Sequence, residues 1–169
     1  MNTQICTNKE QSSRLLEAGV RPETADMVLL YVDDESNIAP WEDIRKDEKG
    51  KFFYDVYGET YTLTESVLLR DSQYYDRSYQ DDCPAWSLSK LIDMMPKSYQ
   101  DDIDGMVYYL SGNFVELMYA SDWIEDGEGD NTYNCAKSFD KENLMDNMVD
   151  AIEWLIREGH LNKKFLTDK

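Results

Sequence analysis

Ser87 and Lys90, in the stretch "CPAWSLSKLIDMMPK" (83–97), stand three residues apart. At that spacing a serine nucleophile and a lysine base share one helical turn in a class of acyl enzymes. Such chemistry has companions, and neither Lys-Thr-Gly nor Ser-Asp-Asn occurs; the nearest approach is Ser121-Asp122-Trp123. A serine just before an apolar helical stripe is ordinarily an N-cap, because its hydroxyl accepts one of the free N–H groups of the first turn. The spacing therefore predicts a cap at Ser87, and no catalytic residue is assigned.

Carboxylates supply the other chemical patterns. Tyr-x-Asp-Asp occurs three times, at 31–34, 79–82 and 99–102. "LLYVDD" resembles the metal-binding hairpin of reverse transcriptases, in which neighbouring carboxylates hold magnesium for phosphoryl transfer. The return strand of that hairpin is apolar, whereas "ESNIAP" follows here. "YQDDIDG" looks like the start of a calcium loop with Asp102, Asp104 and Gly105, but Gln100 stands at the first ligand position and Ser111 at the twelfth, where a bidentate Glu belongs. Cys6, Cys83, Cys135 and His160 are too scattered for a zinc site. No metal site and no cofactor is expected. The densest acidic run is "DWIEDGEGDN", where Asp122, Glu125, Asp126, Glu128 and Asp130 place five carboxylates in nine residues without a basic neighbour.

The whole chain shares this bias. It has 169 residues with 35 acidic against 17 basic, a formal charge of -18. The 41% hydrophobic and 12% aromatic residues are too many for a disordered acidic tail. A phosphate backbone rewards Lys and Arg, so direct nucleic-acid binding is disfavoured and a basic protein partner is the expected complement. Two other readings compete with it: a divalent-metal-dependent enzyme using clustered aspartates, and an acidity that only keeps the chain dispersed. No apolar run approaches the roughly 18 to 20 residues that cross a bilayer, and "MNTQICTNKEQSS" lacks the basic start and apolar stretch of a signal peptide. Three widely spaced cysteines suit a reducing compartment. A cytoplasmic location is expected.

These residues must be positioned by a fold. Thr7 and Glu10 have capping-box spacing ahead of Leu15 and Leu16, and Gly19 can end that helix. Pro22 suits a short turn or second helix before "MVLLYV", which reads as a strand. "KFFYDVYGETYTLTE" reads as a hairpin about Gly58, and "MVYYL" and "FVELMYA" as a second about Ser111, Gly112 and Asn113. Arg70 to Asp82 reads as a loop. Leu88, Leu91, Ile92 and Met95 form one face of a short helix capped by Ser87, stapled by Trp86 and stopped by Pro96. "NTYNCAKSF" is a further strand. Over about 141–158, Met145, Met148, Val149, Ile152, Leu155 and Ile156 make an amphipathic stripe, with Gly159 at its C-terminal cap. Strands outnumber helices and β-α-β alternation is absent. The expected architecture is therefore a single α+β domain over 1–169, an antiparallel sheet with helices packed on one face. "SYQDD" occurs at 78–82 and 98–102, but the flanking sequences share no pattern, so no internal repeat is read.

At "EQSSRLLEAGVRPETADM", "CPAWSLSKLIDMMP" and "NMVDAIEWLIREGHL" the chain resembles an uncharacterised family of small acidic proteins encoded by phages, prophages and mobile elements of gut anaerobic bacteria. The matching segments are those explained above by capping and packing, so the resemblance speaks for a shared fold rather than a shared active site. What it implies is a setting: an accessory protein inside a bacterial host cell.

Overall fold

In the computed structural model, which describes residues 4–33, 44–72, 83–96, 106–120 and 133–167, the apolar stripe near the C-terminus forms helix α3, Leu144–Glu158. Met145, Met148, Val149, Ile152 and Leu155 are buried, and Ile156 is half-buried at the edge of the stripe. The helix begins three residues later than expected because Asn143 caps it, accepting the Met145 N–H at 2.9 Å. Gly159, at φ 83°, takes the left-handed conformation that closes the helix.

Ahead of α3 the chain is fixed by a buried amide. Asn147 accepts the Lys141 N–H at 2.9 Å through Oδ1, while its Nδ2 donates to the carbonyls of Lys141 at 2.9 Å and Asn113 at 2.5 Å. The last bond ties the helix to the turn of a hairpin. That hairpin is β6 (Met106–Ser111) and β7 (Phe114–Ala120), joined at Gly112–Asn113 as the sequence predicts. With β8 (Tyr133–Phe139) it forms a three-stranded antiparallel sheet in the order β6-β7-β8. α3 lies over β7 and β8. Val115, Leu117 and Met106 meet Met148, Ile152 and Leu155 in the main core, which also takes Leu15, Trp86 and Leu91 from other elements.

Two helices complete this core. α1 (Lys9–Ala18) is held to α3 by Arg14, whose guanidinium contacts Asp150 at 2.7 Å and grips Glu153 with two nitrogens. Its cap differs by one residue from the expected one: Asn8 and Gln11 form the capping box in place of Thr7 and Glu10. Thr7 is buried, and its hydroxyl serves Ser12 and the Trp86 N–H instead. α2 (Leu88–Met94) is capped by Ser87 as expected. Met95, before Pro96, leaves the helix at φ -69°, ψ 150°.

The remaining strands form a second antiparallel sheet, so the expected sheet is split in two within the α+β architecture. Its strands are β1 (Met27–Asp33), β2 (Arg45–Lys46), β3 (Phe52–Val56), β4 (Glu59–Leu69) and β5 (Cys83–Ala85), in the order β2-β3-β4-β1-β5. The β3–β4 hairpin turns at Tyr57 and Gly58, both at positive φ (51° and 86°), as a tight two-residue connection requires. One face of this sheet carries two small apolar clusters, one of Cys6, Leu29, Cys83 and Ala85 and one of Tyr31, Tyr54 and Leu63. Burial, then the nearby carboxylates of Glu65 and Asp26, pushes the Cys6 thiol up to about 11. Trp86 follows β5 directly and is buried in the main core; its indole N–H donates to Thr24 at 3.0 Å, and its main chain exchanges hydrogen bonds with Thr7.

Candidate functional site

The Ser-x-x-Lys pair resolves into a structural staple. The Ser87 hydroxyl donates to Asp26 Oδ2 at 2.6 Å and accepts the main-chain N–H of Lys90 at 3.1 Å. The Ser87 N–H donates to Asp26 Oδ1 at 2.9 Å. An acyl-enzyme arrangement requires the lysine ammonium at the hydroxyl. Here the lysine meets the serine through its backbone, and the hydroxyl donates to a carboxylate just ahead of β1. Asp26, 61 residues away in the chain, is a partner the local pattern of residues 83–97 did not reveal.

The first Tyr-x-Asp-Asp motif ends β1. Tyr31 is buried, with its hydroxyl held well above the usual phenol range by burial and by Glu65. β1 pairs with β4 along its length and with β5 at Met27–Leu29, and residues 34–43, where the return strand of the polymerase resemblance would lie, are outside the described residues. Asp34, the second and third motifs, and Asp102 and Asp104 lie outside the described residues. So do all five expected contact residues, Asp122, Glu125, Asp126, Glu128 and Asp130.

The framework does fix where the chain leaves for and returns from these stretches. Met106 pairs with Tyr119, Tyr119 with Asn134 and Ala120 with Tyr133. Residues 97–105 therefore lead in, and residues 121–132 lead out and back, at one end of the three-stranded sheet. The two stretches carry eight acidic residues and one lysine. The same contrast holds for the whole chain. The described residues contain 19 acidic and 14 basic side chains, close to balance. The four stretches 34–43, 73–82, 97–105 and 121–132 contain 15 acidic and two basic. Most of the charge of -18 thus belongs to these four stretches.

An aromatic cluster marks the same end of the sheet. Tyr119 Oη lies 2.9 Å from Nε2 of His160, the single histidine. The indole of Trp154 stacks on the imidazole at 5.8 Å and 24°, and the Tyr119 ring meets it edge-on at 5.7 Å and 74°. His160 is half-buried and directly follows the Gly159 cap. Its placement next to Tyr119 depends on how α3 lies across the sheet, which no local pattern encodes. Among the described residues no group of three or more His, Cys, Asp or Glu side chains is arranged to hold a metal ion. No described helix is long and apolar enough to cross a membrane.

No protein-family model, no curated protein and no solved structure matches this chain.

Proposed function

We propose that this chain is a non-enzymatic binding protein that presents the acidic stretch 121–132 to a Lys/Arg-lined groove of a basic protein partner. The observation that carries the reading is the division of charge: a nearly balanced framework, with two acid-rich stretches entering and leaving at one end of the three-stranded sheet. Concentrated carboxylates at one end of a molecule create a directional field that steers a basic partner and fixes its approach. Asp122, Glu125, Asp126, Glu128 and Asp130 are the contact residues. A surface of this kind competes with nucleic acid for a phosphate-binding groove, which fits the cytoplasm of a bacterial host and an accessory protein of a phage or mobile element.

The test is affinity capture from host lysate across a salt series. Contacts of this type weaken steeply as the screening length falls from about 10 Å at 0.1 M to roughly 3 Å at 1 M salt. Specific capture of a basic protein that is released between these limits supports the reading. Capture that is indifferent to salt, or confined to neutral and acidic proteins, overturns it.

A further inference from the structure

An edge strand exposes a row of unpaired backbone groups, and folded proteins block such edges with charge, proline, bulges or short length. Among the described residues the two sheets have four edge strands, and three of them are blocked in these ways. β2 is two residues long and both are charged; β5 is three residues long and contains Pro84. β8 carries Lys137 and faces β7 across an irregular register at Leu117/Met118. The fourth edge is β6, "MVYYLS", with no charge, no proline and an unbroken register against β7. Tyr109, at its middle, is 51% exposed.

The direction of its free groups follows from the hairpin. Ser111 and Phe114 flank a two-residue turn, so this pair exchanges both backbone hydrogen bonds, and the pattern alternates along the strand. Ser111, Tyr109 and Val107 thereby point their N–H and C=O groups at β7. Those of Tyr108 and Leu110 point to the open side.

We infer that β6 is the pairing edge of a homodimer, in which the β6 of a second copy adds antiparallel about a two-fold axis at Tyr109 to make one six-stranded sheet. Tyr108 of each copy then exchanges backbone hydrogen bonds with Leu110 of the other. The two Tyr109 side chains face each other as a non-hydrogen-bonded pair, the closer of the two antiparallel geometries and one that favours aromatic pairs. An axis perpendicular to the sheet keeps both α3 helices on the same side, each over the β7 and β8 of its own copy.

Charge selects a second copy over a basic foreign strand. β6 has no carboxylate to attract a basic segment, and it sets no like charges against each other when it pairs with itself. Antiparallel pairing also sends the two chains' entries from 97–105 to opposite ends of β6, about 20 Å apart at some 3.3 Å per residue, which exceeds the Debye length of about 8 Å at physiological salt. Salt therefore strengthens the dimer by screening the remaining repulsion between two acidic molecules, the opposite of its effect on a basic partner. Each of the two proposals can fail without the other.

Sedimentation equilibrium on the full chain tests the inference. The expected result is a monomer–dimer equilibrium that shifts toward dimer as salt rises to about 0.5 M, with Tyr109→Lys monomeric throughout and melting like the parent at low concentration. The register is tested by Tyr109→Cys in a Cys135→Ser background. Facing Cα atoms of a non-hydrogen-bonded pair lie about 4.5 Å apart, within disulfide reach, so mild oxidation should link two chains. Leu69→Cys, at a comparable 61% exposure, should leave them separate. A parent that stays monomeric at the highest attainable concentration and salt overturns the inference. So does a dimer that survives Tyr109→Lys, or cross-linking no greater at Tyr109→Cys than at Leu69→Cys.

Discussion

Ser87→Ala should destabilise the protein by more than twice the loss of an ordinary helix cap. Removing the hydroxyl frees the Lys90 N–H at the first turn of α2, which costs about 1 kcal/mol. It also strips the carboxylate of Asp26 of a 2.6 Å hydrogen bond. Bonds to charged groups contribute about 1.5–3 kcal/mol, and the low end applies here because Asp26 is half-buried and water can replace part of the loss. The sum is about 2.5 kcal/mol, which for a chain of this length lowers the melting temperature by about 5–10 °C. Thermal and urea unfolding followed by circular dichroism would measure it. Asp26→Ala and the double variant close the cycle, and a coupling energy of about 1 kcal/mol is expected because each residue serves the other. A loss under about 0.5 kcal/mol, or strictly additive single effects, would refute the staple. Labelling of Ser87 by a serine-reactive phosphonate or β-lactam, lost in Lys90→Ala, would restore the acyl-enzyme reading.

Four further outcomes follow from the packing. Ile152→Asp places an unpaired charge in the main core and should cost several kcal/mol; a variant that melts like the parent would contradict the observed burial. Asn147→Ala leaves the Lys141 N–H and the carbonyls of Lys141 and Asn113 without their amide partner, and should cost about 3 kcal/mol or more by urea titration; a loss typical of an exposed site would contradict it. A thiol reagent should titrate Cys135 alone in the native protein at pH 8 and all three cysteines after denaturation, since Cys6 and Cys83 are buried. Because the folded Cys6 thiol is raised from 9.0 to about 11, its stabilising contribution is complete below pH 9 and lost as pH rises through about 11. Cys6→Ala should flatten that alkaline loss, and an unchanged slope would assign it elsewhere.

The parts of the fold legible in the sequence are those whose cause is local. The α3 stripe repeats at helical period, and the hairpins about Gly58 and Gly112 are flanked by aromatic and β-branched runs. β2 and β5 were not legible, because "RK" and "CPA" have no strand pattern and become strands only by pairing with β3 and β1. The division into two sheets was hidden for the same reason: no residue states which strand it will pair with. Thr7 matched a capping box, yet burial beside Trp86 gave its hydroxyl another task and left the cap to Asn8. At the candidate site the acidic stretches are plain in the sequence. Their entry at a shared end follows only from the register Met106↔Tyr119 and Ala120↔Tyr133, and the Tyr119–His160–Trp154 cluster only from how α3 crosses the sheet.

The central claim is that position, rather than total charge, makes the acidic stretch a binding surface. Two variants separate these causes. One neutralises Asp122, Glu125, Asp126, Glu128 and Asp130 to Asn or Gln; the other neutralises five exposed framework acids, Glu17, Glu23, Glu48, Asp140 and Glu142. Each removes five negative charges from -18 and leaves -13. Affinity capture of the basic partner by the parent and both variants, at equal ionic strength and with unfolding curves in hand, is the decisive measurement. Loss of capture by the first variant and its retention by the second is the predicted result. Equal capture by the two variants would contradict the account.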